Sequence, residues 1–328
     1  MNETIQELQR LNVNGFQFKE RTIRIRIHSF ICDAPAKAMI KNIKLYSGYY
    51  GCDKCTQAGV WNGKMTYQEI DIAQPRIDMS FRNQSQPEHH QGNSPLTTLP
   101  IDMTEAFPVD YIHQTCLGVM NRLLLLWLRG KGDFKLSAQN KDQIRFKLLQ
   151  LRKAIPSLFA RKPRSLDDID RWKATEYRQF LLYTEKIVLK DILRPELYSH
   201  FMALSVEISI LGSSELSKDH QVYAGNLLKF VIAQGREMYG PDFLVYNVHS
   251  MMHIADDAKN LGHLDKFSAF PYENDMQKLK KKTAHSGKSP LIQIKVYLFK
   301  IYGRDDSHEN KHKIIIWITY ILVLSLYK

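Results

Sequence analysis

Residues 22–40 read TIRIRIHSFICDAPAKAMI, and the change of rhythm inside this stretch sets the expected fold class. Ile23, Ile25 and Ile27 alternate with Arg24, Arg26 and His28, the period-two pattern of a strand with one buried face. The spacing predicts a strand over residues 22–32, which Asp33 ends. Pro35 suits the first turn of a helix, where a missing N–H costs nothing, and residues 36–43 continue that helix. Strand, turn and helix follow in order, with Asp33 at the strand's C-terminal end. Open α/β sheets place their ligands at such edges.

On the N-terminal side, Ile5, Leu8 and Leu11 share one helical face within residues 3–12. On the C-terminal side, residues 44–107 are rich in Gly, Pro, Asn and Gln, which predicts loops, with a short strand near Ile77–Phe81. From Thr115 the period lengthens. Helices are expected over 115–129, 137–154, 172–190, 196–211, 218–238 and 246–260, punctuated by Pro156, Pro163, Pro195, Gly212 and Gly240. A second α/β-like stretch is expected over 262–282. The chain therefore reads as α/β plus α. Its segments are an α/β piece at 1–50, a loop-rich region at 51–114, a helical insertion at 115–260, a return to the first domain at 261–300 and an atypical apolar tail at 301–328.

The chain has 328 residues, 44% of them apolar and 24% charged, a globular composition. Its net charge of +12 and pI near 9.3 favour a polyanionic partner, with duplex DNA first. Four cysteines are too few for a disulfide scaffold, which points to a reducing compartment, nuclear or cytoplasmic. Residues 1–21 contain no signal-peptide core. The apolar run Ile314–Tyr327 is shorter than the roughly 20 residues of a membrane span, so a membrane partner is disfavoured. No small-molecule substrate is expected, and a homo-oligomer is compatible with the composition.

Several constellations carry chemistry. Cys52 and Cys55 stand in a CxxC, and two thiolates at that spacing hold a tetrahedral metal once two more ligands arrive. His249 and His253, at i and i+4, share one helical face and complete a Cys2His2 set for Zn2+; His89 and His90 are the alternative ligands. Asp33 and Glu273 each sit at the edge of an α/β-type stretch. Carboxylates converging from distant segments suit divalent cations, Mg2+ or Mn2+, in phosphoryl transfer; singly, such residues also serve as helix caps. Glu176 rivals Glu273 as an acid and equally suits pairing with its cationic neighbours. Asp110 and His113, in an Asp-x-x-His, are supporting candidates, with Asp110 also a natural N-cap for the next helix. Arg161, Lys162 and Arg164 form one basic cluster and Lys278, Lys280, Lys281 and Lys282 another, both suited to DNA phosphates.

Seven blocks in order carry a family resemblance: CDAPAKAMI (32–40), SGYYGCDKC (47–55), EHHQGNSPL (88–96), FPVDYIHQTCLGVMNRLLLLW (107–127), ARKPRSLDDIDRWKATEYRQFLLY (160–183), YNVHSMMHIADD (246–257) and LDKFSAFPYENDMQKLKK (264–281). Together they resemble animal transposase-like proteins that are distantly similar to plant CACTA (En/Spm) transposases. The resemblance implies a partial RNase H-like fold of the DDE type, interrupted by a large, mostly helical insertion, and ancestral metal-dependent DNA cleavage and strand transfer. It places Asp33 as the second acid of the family and the Asp-x-x-His at Asp110 and His113. The layout also resembles the catalytic subunit of the V(D)J recombinase. Cys52 follows Asp33 by 19 residues and Glu273 follows His253 by 20, which favours Glu273 as the third acid and assigns Cys52, Cys55, His249 and His253 to zinc. Relatives of the plant group carry an aspartate where Glu176 aligns, so Glu176 stays open. The family's first aspartate lies well upstream of the second. Here 32 residues precede Asp33 and none is Asp. The expectation is a transposase-derived protein that lacks catalysis, or a non-enzymatic, zinc-stabilised module binding DNA or protein.

Overall fold

A computed structural model describes residues 2–18, 20–23, 25–71 and 73–274. The described chain divides into two compact units: residues 2–45 and 76–108 with 267–274, and residues 46–75 with 109–266.

The first unit opens with α1 (Asn2–Asn14), whose Ile5, Leu8 and Leu11 are buried. Gly15 follows at φ +71°, and a Cβ there would stand 2.6 Å from the Ile23 carbonyl oxygen, so only glycine lets the chain reverse this tightly. After it, β1 (Phe16–Phe18) pairs antiparallel with β2 (Arg21–Ile23). Here the expected strand over 22–32 needs correction: sheet pairing ends at Ile23. The alternation is real as a burial pattern, since Ile27 is buried between exposed Arg26 and His28. One-sided burial does not supply a ladder partner, however, and from Ser29 to Cys32 every side chain is buried. Phe30 N–H donates to the Ala106 carbonyl, and its ring stacks on Phe107 at 5.0 Å.

Helix α2 (Ala34–Lys41) starts as the sequence predicts, with Pro35 in its first turn and Asp33 as N-cap. Asp33 Oδ1 accepts from Ala36 N–H at 2.8 Å. A second correction falls at residues 77–81, where the structure forms helix α3 (Asp78–Arg82) instead of a strand. Ser80 Oγ accepts from Ile77 N–H at 3.0 Å, and Arg82 Nε meets Asp78 at 2.8 Å one turn away. These local polar bonds satisfy the first turn and outweigh the strand preference of Ile77 and Phe81. The core of this unit joins Ile5, Leu8, Phe30, Ile40, Leu96 and Phe107.

The second unit begins with a hairpin of β3 (Val60–Trp61) and β4 (Met65–Thr66). The rest is helical, and the expected helices are found. A π-helix at Ile112–Met120 runs into α4 (Asn121–Arg129). Helix α5 (Ala138–Ala154) is capped by Ser137 Oγ. The stretch expected as one helix over 172–190 divides into α6 (Ala174–Gln179), a π-helical turn (Phe180–Thr184) and α7 (Glu185–Val188). Helix α8 (Pro195–Gly212) packs on α10 (Gln221–Tyr239), with short α9 (Leu216–Asp219) between them. Then come α11 (Tyr246–Ser250), a 3-10 turn (Met251–His253) and α12 (Ile254–Leu261). Beyond Gly262 the second α/β-like stretch also needs correction as far as residue 274. The described residues form a 3-10 turn at Leu264–Phe267 and a helical segment at 270–274, without a strand. The remainder of that stretch, the lysine cluster and the apolar tail lie outside the described residues. Among the described residues, no helix is long and apolar enough to cross a membrane.

Candidate metal centre

The CxxC loop lies between Tyr46 and the β3–β4 hairpin. Backbone bonds hold it: Gly59 N–H to the Tyr49 carbonyl at 2.5 Å, and Thr56 N–H to the Gln74 carbonyl at 3.0 Å. The histidines come from the α11–α12 segment, nearly 200 residues away. Tyr67 N–H donates to the Leu244 carbonyl at 2.7 Å, and Thr66 bridges Val245, which brings the two segments together. Helix α11 also lies tight against the π-helix. A Cβ on Gly118 would sit 2.4 Å from Asn247 Nδ2, and Gln114 Nε2 donates to the Asn247 carbonyl at 2.6 Å. Any larger residue at 118 would push α11 and its histidine outward.

Cys52, Cys55, His249 and His253 converge, with their ligand atoms all within 4.8 Å of one another. Cys55 Sγ is 3.6 Å from Cys52 Sγ and 3.4 Å from His249 Nε2, and Cys52 Sγ is 3.5 Å from His253 Nε2. A tetrahedral zinc site has Zn–S near 2.3 Å and Zn–N near 2.0–2.1 Å, so its edges are about 3.8 Å between sulfurs and about 3.6 Å between sulfur and nitrogen. The observed separations fit those edges, and the four side chains can hold a metal ion. All four residues are at most 5% exposed, the closed form of a structural site.

The electrostatics suit a cation. Burial pushes the Cys52 thiol up, but the hydrogen bond from Cys55 and the positive charge of His249 and His253 outweigh it, leaving the thiol well below its ordinary range. Burial would lower His253, yet the Cys52 thiolate raises it. A bound metal would supply positive charge to balance the thiolate.

The surrounding shell was not evident in the sequence. Tyr67 stacks on His249 with ring centroids 4.5 Å apart and donates its hydroxyl to the Tyr46 carbonyl at 3.2 Å. Tyr246 donates to Asp53 Oδ1 at 3.2 Å. Lys54, inside the CxxC, forms a buried ion pair with Asp257 at 2.6 Å, and the other Asp257 oxygen accepts from Val109 N–H at 2.7 Å. Charged residues next to the motifs were the only available signal, and nothing in the sequence paired them.

The other candidates take separate positions. His89 and His90 belong to the first unit and have no part in the Cys2His2 group. Asp33 caps α2. Glu273, also in the first unit, lies in the helical segment at 270–274 and donates its N–H to the Ala269 carbonyl. Among the described residues, neither acid belongs to a group of three or more metal-capable side chains. Glu176 is buried; Arg164 meets its two oxygens at 2.5 and 2.7 Å and Lys173 N–H donates to it at 2.8 Å. Arg164 is thereby engaged within the protein, while Arg161 and Lys162 are exposed. Asp110 is buried and meets His113 Nδ1 at 2.6 Å, leaving the imidazole 35% exposed. Lys278, Lys280, Lys281 and Lys282 lie outside the described residues.

Comparison with protein-family models, with curated proteins and with solved structures finds no match.

Proposed function

We propose that this chain is a transposase-derived protein that binds duplex DNA and is stabilised by one structural Zn2+ on Cys52, Cys55, His249 and His253. The observation that carries this reading is the convergence of the four side chains that the transposase layout assigns to zinc, across about 200 residues of chain. Two thiolates and two imidazoles favour zinc over Mg2+ or Ca2+, which take oxygen ligands. The ion, once bound, supplies cross-linking, because a closed site leaves no position for a substrate. The net charge of +12 supports a polyanionic partner, with Arg161, Lys162 and the cluster Lys278–Lys282 as contacts.

In this reading Asp33 and Glu273 descend from a partial RNase H-like active site that held Mg2+ or Mn2+, and Asp110 and His113 descend from the family's Asp-x-x-His. Glu176 fits a structural role better, since its carboxylate is taken up by Arg164 and Lys173. Strand transfer needs carboxylates that cradle two cations, and Asp33 and Glu273 are the two that this reading assigns to that cradle.

The test uses the purified chain. Metal analysis should return one zinc per chain, abolished by Cys52→Ser with Cys55→Ser. Duplex DNA should bind without sequence preference, with affinity falling steeply as salt rises, because phosphate neutralisation releases counterions. Supercoiled DNA with Mg2+ or Mn2+ should stay un-nicked. Absence of DNA binding at low ionic strength would overturn the nucleic-acid reading. Nicking lost in both Asp33→Ala and Glu273→Ala would show an active enzyme.

A further inference from the structure

The segment from Gln143 to Arg164 contains seven cations and no acid: Arg145, Lys147, Arg152, Lys153, Arg161, Lys162 and Arg164. Three are engaged within the protein. Arg145 pairs with Asp142 and Asp167, Lys147 donates to the Ile187 and Lys190 carbonyls, and Arg164 holds Glu176. Among the described residues, no acid pairs with Arg152 or Lys153, which are exposed on the last turns of α5. The same helix buries Ile144 and Leu148 on its inner side and leaves Phe146 63% and Leu149 42% exposed. Phe146, Leu149 and Lys153 stand at i, i+3 and i+7, a single outward stripe. Leu158, just past the helix end, is 93% exposed.

We propose that the outward face of α5 docks an acidic amphipathic helix of a partner protein, with Phe146 and Leu149 as apolar anchors and Arg152 and Lys153 as its charged rim. An apolar centre bordered by cations is the anatomy of a protein interface, and the uncompensated charge selects an acidic partner. Duplex DNA would use the cations, but its phosphates offer nothing to Phe146 or Leu149. A second copy of this chain would set Arg152 and Lys153 against their own equivalents, which like-charge repulsion opposes. A membrane surface asks for a wider apolar face than one stripe on a helix whose other side is buried.

The experiment follows fluorescence anisotropy of a labelled helical peptide with Leu and Phe at i, i+3 and i+7 and Glu at its other positions, titrated with the full zinc-loaded chain. Phe146→Ser with Leu149→Ser, and separately Arg152→Glu with Lys153→Glu, should each weaken binding by about tenfold or more. All four side chains are exposed, so thermal melts should match the parent chain. The apolar pair should leave duplex DNA affinity unchanged, which separates failure here from failure of the DNA reading. No peptide binding by the parent chain, or binding indifferent to the apolar pair, would overturn the proposal. So would tighter binding to phosphatidylserine vesicles that the apolar pair abolishes, or loss of DNA affinity in that pair.

Discussion

Among the described residues of 46–75 there are two strands of two residues each, whereas α8 and α10 run for 18 and 19 residues. The helices bury Phe201, Leu204, Ile208 and Leu211 from one side and Leu228, Val231 and Ile232 from the other, so burial of apolar area holds them. Around the CxxC loop the buried side chains are Cys52, Asp53, Cys55, Gln57, Met65, Thr66 and Tyr67, and most of these offer polar or ligand atoms rather than apolar area. One region orders itself by burial; the other has too little apolar surface to offset its conformational entropy and depends on ligand atoms meeting at a point. The difference teaches that a metal held by Cys52, Cys55, His249 and His253, as proposed, would act as the local core of the region that lacks one.

The sharpest way to break this contrast is to remove the metal. Chelation of the zinc-loaded chain, or Cys55→Ser, should strip hydrogen-exchange protection from residues 46–75 and α11 while α8 and α10 keep theirs. Structural zinc binding is worth on the order of 10 kcal/mol in small domains, so this effect should be the largest. Equal loss of protection in both regions would erase the distinction.

Asp257 comes next. Its carboxylate joins Lys54 and Val109 N–H, so Asp257→Ala removes the lysine's carboxylate partner and leaves an unmade backbone bond. A loss of about 3–5 kcal/mol is expected, read by chemical denaturation. A loss under about 1 kcal/mol would mean that the pair adds little beyond the metal.

In the helical region the telling group is Glu185. Burial pushes its carboxyl up to about 7 from an ordinary 4.5, against the hydrogen bonds of its own backbone and Ser205. Ser205 Oγ lies 2.8 Å from the Leu181 carbonyl and 3.1 Å from Glu185 Oε1. Ser205 has one proton to share between these two acceptors, so its bond only partly offsets the burial that favours the neutral acid. The folded state holds the proton more tightly than the unfolded state. Stability from this group is therefore complete below about pH 4.5 and is lost as pH rises toward and through about 7, at roughly 1.4 kcal/mol per pKa unit. Glu185→Gln should remove that slope in a series of denaturation curves. Glu207, fully buried, is likewise held above the ordinary carboxyl range by burial alone.

The smallest effect separates structure from chemistry at Asp33. Loss of its cap in Asp33→Ala should cost about 1 kcal/mol, and Asp33→Asn should restore it, since asparagine caps equally well. If Asp33→Asn costs as much stability as the alanine variant, the carboxylate has a charge-dependent role beyond capping.

The helical part was largely legible from local chemistry. Pro195 marks a start because a missing N–H costs nothing in the first turn, and the structure begins α8 there. The Cys2His2 set was legible as residue types at two spacings. Its completion by His249 and His253 instead of His89 and His90 depended on the pairing of Tyr67 with Leu244 and on the tight seat of Gly118 against Asn247. Both are contacts between residues far apart in the chain. The strand expected at 22–32 shows the limit from the other side. Periodicity reports which face is buried, and it reported Ile27 correctly. It cannot report whether another backbone lies alongside to form a ladder. At Ile77–Phe81 two side-chain bonds, Ser80 to Ile77 and Arg82 to Asp78, outweighed strand preference. Lys54 and Asp257 meet only because the fold sets a CxxC loop beside α12; a lone charge in a sequence carries no sign of its partner, since the attraction depends on distance in space and not on distance along the chain.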